Sequence, residues 1–476
     1  MHGSDLTTLV LIRLEWAILA YFIFVNSFYM VLFFGAIWAM VQHLRRTRWE
    51  NLSHVLRSKA ALSISILAPA YNEAATIAES VRALLVLYNP ALEIVVVNDG
   101  SRDDTMAVLQ DTFKLTAIHP IYQRQIPTQS VRGLYRSQTH PNLLVIDKDN
   151  GGKADALNVG LQLATGDLVC AMDADTLIEP EALLHMVRPF LLRARVVAVG
   201  GTIRVVNDAK VHRGQVLQPR TPRHFLAGVQ TVEYLRAFLF GRLGWNYLGG
   251  NLIISGAFGL FRRKAVLAAG GYRHDTVGED MELVLRLRRH GYEEGGPHQV
   301  DFIPDCVAWT EVPESLRVLG RQRDRWHRGL ADVLWRHRRL LCNPRYGAMG
   351  LLSYPYFVGI ELLAPIVEGL GLLATVVGLA LGAINLPFAG MFLLTAYGLG
   401  LLFSLGTLGL EEWSFHRYES LQDRLLLVLW ATLENCGYRQ LTVFWRLRGL
   451  ARFLRGRTDW GAMERRGFRS AASKSP

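Results

Sequence analysis

Carboxylates fall at three places in this chain where they could act on one substrate. Asp173 and Asp175 stand two apart in "VCAMDADT", directly after an apolar run. Asp99 ends "EIVVVND" before Gly100 and Ser101, and Glu279 and Asp280 open "GEDMELVLRL". Two carboxylates at i and i+2 at a strand end can both meet one hard cation. Mg²⁺ or Mn²⁺ favours such oxygen ligands and also takes substrate phosphate. Alone, a D-x-D also suits a solvated loop. Asp99 reads equally as a helix cap. Glu279 and Asp280 read as N-terminal charges favoured by a helix dipole, or as a general base held near a metal-bound substrate. There is no Walker-type or G-x-G-x-x-G pattern, so neither a P-loop nor a Rossmann dinucleotide site is supported. His327 reads as a surface histidine, since no H-E-x-x-H zinc pattern occurs.

The elements that must position these groups alternate. From about Leu62 to Tyr346, "SISILAPAY", "LEIVVVND", "NLLVIDK" and "DLVCAMDAD" read as buried strands. Between them, "NEAATIAESVRALLVL", "SRDDTMAVLQDTF" and "GKADALNVGLQLA" read as helices. That alternation predicts an α/β domain with a mostly parallel sheet covered on both faces. Ligands in such folds sit at the carboxyl ends of strands, where Asn98-Asp99, Asp147-Lys148 and Asp173-Ala174-Asp175 fall. The stretch Ile118 to Pro141 reads as an inserted loop, and "GRLGWNYLGG" as a flexible segment.

The composition places this domain at a membrane. The 476 residues are 50% hydrophobic and carry a net charge of +11. The four cysteines are widely spaced, which suits a reducing compartment better than a disulfide or metal framework. Trp16 to Val41 has the length of a transmembrane helix, and "QHLRRTRW" after it marks a cytoplasmic end. After Tyr346 come an apolar span near Ile360 to Ala383 and another in "PFAGMFLLTAYGLGLLFSLGTLGL". A third apolar stretch carries Glu434, Asn435 and Arg439, which are costly in lipid. Two full spans with this third stretch re-entrant or interfacial keep the basic tail inside, as its charges prefer. Glu361, Glu368 and Glu434 either line an intramembrane polar path or pair with Arg439. "RHRRLL" reads as a contact for anionic lipid.

In this order and context the motifs are far more specific than any one alone, and the chain resembles a membrane-embedded family 2 glycosyltransferase of GT-A fold. The resemblance runs from about Leu62 to the C-terminal helices. "APAYNE" (Ala68 to Glu73) is similar to the first-strand motif that holds the nucleotide base, which implies donor contacts from Pro69, Tyr71 and Glu73. "VVVNDGSRDDT" puts Asp99 at the uridine position, and "NGGKADALN" brings Lys153 to the donor. "DAD" matches the metal motif, with Asp173 and Asp175 as ligands of Mg²⁺ or Mn²⁺ and Asp173 beside the donor. "ISGAFGLFRRKAV" resembles the acceptor-pocket segment around Ser255 and Gly256. "GED" stands where many members carry T-E-D, with Gly278 replacing the threonine while Glu279 and Asp280 remain. "QRDRW" (Gln322 to Trp326) resembles the Q-(Q/R)-x-R-W signature of cellulose, hyaluronan and poly-N-acetylglucosamine synthases.

The resemblance implies an inverting displacement, with Asp280 taking the acceptor proton. Gln322 and Arg325 would then lie on the donor side, and Trp326 would stack on the acceptor sugar. It further implies processive elongation of a β-linked polysaccharide from a UDP-sugar, with the catalytic domain on the cytoplasmic face of a bacterial inner membrane. The chain then divides into an N-terminal membrane helix (1–46), the GT-A domain (47–315), an interfacial segment (316–350), C-terminal membrane or interfacial helices (351–455) and a basic tail (456–476). The partners implied are the UDP-sugar, a growing polysaccharide or lipid-linked acceptor, membrane lipids, and a second copy or an accessory export protein, with no nucleic acid. A single transfer to a lipid acceptor and a catalytically silent membrane scaffold are the other readings.

Overall fold

The computed structural model of the chain describes residues 2–47, 62–87, 91–120, 122–173, 176–212, 214–382 and 386–457. Asp175 lies outside the described residues, as does the basic tail beyond 457.

The strands in chain order are β1 (Ile64–Ala70), β2 (Leu92–Asp99), β3 (Leu115–Ile118), β4 (Val131–Ser137), β5 (Leu143–Lys148), β6 (Leu168–Met172), β7 (Leu177–Ile178), β8 (Val196–Val205), β9 (Lys210–His212), β10 (Gln215–Gln218), β11 (Phe258–Arg262) and β12 (Gln299–Thr310). Ten form one sheet in the order β3-β4-β5-β2-β1-β6-β11-β8-β12-β7, while β9 and β10 make a separate hairpin. The apolar runs form its parallel centre, β5-β2-β1-β6. Their register aligns the carboxyl ends, so Ala70 lies beside Asn98, and Asp99 beside Lys148. Helix Lys153–Leu163 covers one face, with Gly160 against Leu67, Val95 and Val97. Removing each of those side chains from water contributes about 1.5–3 kcal/mol. β11 then enters antiparallel between β6 and β8.

Two segments differ from the sequence reading. The expected loop between Ile118 and Pro141 contains β4, which pairs antiparallel with both β3 and β5. "GRLGWNYLGG" is helical over much of its length, and its Leu243, Gly244 and Trp245 are buried. It packs on the N-terminal helix His2–Thr47, where Phe28 meets Trp245 at 5.6 Å between ring centroids; Phe240, just before the stretch, meets Tyr29 at 6.0 Å.

Among the described residues, three helical stretches are long and apolar enough to cross a membrane: Arg13–Thr47, Met349–Ala380 and Ala389–Ser414. The first C-terminal one begins earlier than Ile360. The third apolar stretch is broken. Helix Leu421–Leu433 ends at a kink through Cys436 and Gly437, and helix Arg439–Leu454 follows. Trp430 donates its indole N–H to the Pro222 carbonyl at 3.0 Å, anchoring this stretch on the α/β domain. Its charges pair with protein: Glu434 with Arg236, and Arg439 with Glu368 at 3.4 Å.

Candidate active site

The carboxyl edge of the parallel strands gathers most of the expected site. Asp99 ends β2 and is 3% exposed. It accepts from Lys148 Nζ at 2.5 Å, from the Gly151 and Gly152 amides at 3.0 and 2.8 Å, and from Asn150 Nδ2 at 3.2 Å. Both oxygens are therefore engaged by protein. In this arrangement Asp99 fastens the turn that leads into helix Lys153–Leu163. Gly152, at φ +85°, makes the left-handed step that an L side chain resists.

That turn sets Lys153 at the centre. Its Nζ donates to Asp173 Oδ1 at 2.6 Å and to the Gly256 carbonyl at 3.4 Å, and stands 3.7 Å from Glu279 Oε1. Asp280 Oδ2 accepts from the Gly256 amide at 2.9 Å, and Oδ1 from the Met281 amide at 2.8 Å. Lys153, Asp173, Gly256, Glu279 and Asp280 thus converge from four separate parts of the sequence. Burial disfavours the Lys153 ammonium, but Asp173 and Glu279 outweigh it and hold its pKa above that of an ordinary lysine. Burial pushes the Glu279 carboxyl up to about 7, with Lys153 opposing the rise and Asp280 adding to it. Asp280 is only half-buried, so of the two it is the carboxylate more open to an incoming group.

The end of β1 and the loop after it carry three more of the expected residues. Pro69 is half-buried in β1, Tyr71 is exposed, and Glu73 donates its amide N–H to Thr105 Oγ1 at 2.9 Å. The Asn72 amide bonds Ser101 Oγ at 3.0 Å, which ties this wall to the turn after Asp99. Ser255 precedes β11, next to Gly256, and is half-buried.

"QRDRW" lies within helix Leu316–Arg336. One turn beyond it, Gly329 touches Gly278, the residue before Glu279; a Cβ on Gly278 would lie 3.3 Å from the Gly329 carbonyl group. Gln322, Arg325 and Gly329 share a helix face by their spacing, so that face is turned toward the Gly278 loop. The other residues of the motif hold the helix down. Arg323 is buried and donates to Glu233 at 2.7 Å, with its guanidinium 4.4 Å over the Trp326 ring. Asp324, 1% exposed, accepts from Arg448 at 2.7 Å and pairs with Arg452 at 3.3 Å. Trp326 is exposed, and its ring centroid lies 6.5 Å from that of Tyr234. His327 is buried rather than at the surface, because helix Arg439–Leu454 covers it. Burial and the neighbouring Arg446 pull its pKa down to about 3.

Other groups were not read from the sequence. Lys148 and Asp155 pair beneath Asp99 at 2.6 Å; the polar strand end Asp147-Lys148 was their only signal. Arg242, within "GRLGWNYLGG", bonds the Ile253 carbonyl and feels the charge of Asp280. Burial lowers its pKa to about 10. "RHRRLL" divides its charges: Arg336 pairs with Asp275 at 2.7 Å, while Arg338 and Arg339 stay exposed.

Residues 65–268 match glycosyl transferase family 2, and residues 168–405, half of the chain, match glycosyl transferase family group 2. Poly-beta-1,6-N-acetyl-D-glucosamine synthase of Staphylococcus epidermidis is 29% identical over 273 residues, 57% of this chain and 56% of that one. The protein of that name from Staphylococcus aureus strain COL is 28% identical over 274 residues, with the same coverage. The chain therefore spans about half the length of these curated relatives. The solved mannosyltransferase PcManGT of Pyrobaculum calidifontis, in complex with GDP-Man and Mn²⁺, aligns at a TM-score of 0.50 with 20% identity, covering 87% of this chain and 99% of that one. That likeness supports the GT-A fold. With its parallel strand ends, its clustered carboxylates and its three membrane-length helices, the chain belongs to the family 2 glycosyltransferases.

Proposed function

We propose that the protein is a processive, inverting polysaccharide synthase that elongates a β-linked chain from a UDP-sugar at the cytoplasmic face of a membrane. N-acetylglucosamine is the favoured sugar, as in the relatives' names. The observation that carries the reading is the convergence of Lys153, Asp173, Glu279 and Asp280 at one sheet end, with the "QRDRW" helix seated on the loop before Glu279.

Asp280 accepts the proton of the acceptor hydroxyl as that oxygen attacks the anomeric carbon. The bond to the leaving UDP breaks on the opposite face, so an α-linked donor gives a β-linkage without a covalent enzyme intermediate. The Gly256 amide orients Asp280 for this task. Lys153 and Arg325 supply positive charge where the diphosphate departs. Tyr71 and Glu73 border the nucleotide, and Ser255 and Trp326 border the acceptor, with the exposed indole offering an apolar face for a sugar ring.

A hard divalent cation fits the chemistry at Asp173. A carboxylate oxygen at the strand end already carries a cationic partner, the Lys153 ammonium. Asp173 with Asp175 would hold Mg²⁺ or Mn²⁺, which when bound offsets the charge of the diphosphate.

The orientation follows from charge. Two C-terminal spans return the chain to the side of the catalytic domain, together with its basic tail. The exposed Arg338 and Arg339, just before Met349, meet anionic headgroups. The test is a panel of UDP-sugars given to the purified protein in lipid with Mg²⁺ or Mn²⁺. UDP release with UDP-N-acetylglucosamine is expected. No release with any donor, with primers and membrane lipids supplied, would sink the reading.

A further inference from the structure

Lys148 ends β5 and is fully buried, at 0% exposure. Its Nζ lies 2.5 Å from Asp99 and 2.6 Å from Asp155, and donates to the Asp149 carbonyl at 2.6 Å. Both partners are nearly as buried, at 3% and 4%. One ammonium thus lies between two carboxylates in a place water does not reach. An ion group of this kind is costly to bury, and removing one member leaves the others uncompensated.

Each carboxylate also holds a different piece of backbone. Asp99 takes the amides of Gly151 and Gly152, directly before Lys153. Asp155, in the first turn of helix Lys153–Leu163, takes the Gln129 amide at 3.1 Å. The parallel register fixes Asp99 beside Lys148. Lys148 therefore sits where β2, β5, the turn 150–152 and the start of the helix meet. Its partners are Asp99, Asp149 and Asp155, so its effect on Asp173, Glu279 and Asp280 passes through the turn that bears Lys153.

We propose that Lys148 is a positioning residue for the donor arm. By compensating Asp99 and Asp155 together it holds the turn 150–152 in the one geometry that delivers Lys153 to Asp173 and Glu279. Only the kinetic arm of the test rests on the donor-site reading above.

The test compares wild type, Lys148→Met and the double variant Lys148→Met/Asp155→Asn, all full-length in lipid. The double variant restores the charge of the cluster by deleting one carboxylate. Hydrogen exchange needs no donor. In Lys148→Met, amides 150–156 are expected to exchange faster, with strands β8 and β12 unchanged, and the second substitution is expected to return most of the protection. In turnover with UDP-N-acetylglucosamine and Mn²⁺, Lys148→Met is expected to lose about 10- to 100-fold in kcat/KM, mostly through donor KM, as for a misplaced binding group. If Lys148→Met yields no folded protein, recovery of folded protein by the double variant carries the same expectation. Unchanged exchange and KM in Lys148→Met, or a double variant no better than the single one, would overturn the proposal. Absence of wild-type turnover would count against the donor reading alone, and the exchange data would still judge Lys148.

Discussion

At the scale of single residues, the centre of the site divides labour between two adjacent carboxylates. Asp280 is the more open and is oriented by the Gly256 amide. Asp280→Asn is expected to keep UDP binding, measured by calorimetry, and to lose transfer by about 10²–10⁴-fold, the usual worth of a positioned base. Full activity in that variant would remove Asp280 from the base role. Glu279 is the buried one, raised from 4.5 to about 7. Ionised Glu279 faces Lys153, so kcat/KM is expected to fall as pH drops below about 7, and Glu279→Gln is expected to lack that limb. The stability sign is opposite. Between pH 4.5 and about 7 the folded protein holds a proton that the unfolded chain has released, so this group's contribution falls as pH rises. Glu279→Gln should therefore gain more in Tm, relative to wild type, at pH 8 than at pH 5. The carboxylates themselves were legible because each follows an apolar run or opens a helix. Their partners were not. That Asp99 is already met by Lys148 and the Gly151 and Gly152 amides depends on the strand register and a turn, which no local pattern reveals.

At the scale of elements, helix Leu316–Arg336 is clamped on several sides. Glu233 and Tyr438 hold Arg323, Arg448 and Arg452 hold Asp324, and Gly329 meets Gly278. Gly329→Val would force the helix off the loop before Glu279. It is expected to lower transfer about 10²-fold, the scale of a 1 Å misplacement, while UDP binding persists. Equal loss of binding and turnover would contradict that separation. Trp326→Ala is expected to shorten the product with little change in UDP affinity, and unchanged product length would favour a plain membrane anchor. The parallel strands were readable from runs such as "EIVVVND", buried on both faces. β3 and β4 were not, since they lie at the sheet edge with mostly half-exposed side chains and lack an apolar run. His327 and "GRLGWNYLGG" were misread for a related reason, as the helices that bury them come from distant parts of the chain.

At the scale of the whole molecule, the catalytic sheet and the membrane helices are joined by buried charge. Arg204 of β8 pairs with Glu411 at 2.5 Å, at the end of the last candidate span, and Arg236 pairs with Glu434. The third apolar stretch is kinked at Cys436 and Gly437 and fastened to the domain by the Trp430 bond to Pro222. The central claim is that these parts extend a β-linked chain from a UDP-sugar. It is tested most directly by supplying UDP-N-acetylglucosamine and Mn²⁺ to the protein in lipid vesicles, then measuring the length and anomeric configuration of the product. A β-linked polymer of many units is expected. A single added sugar or an α-linkage would contradict it.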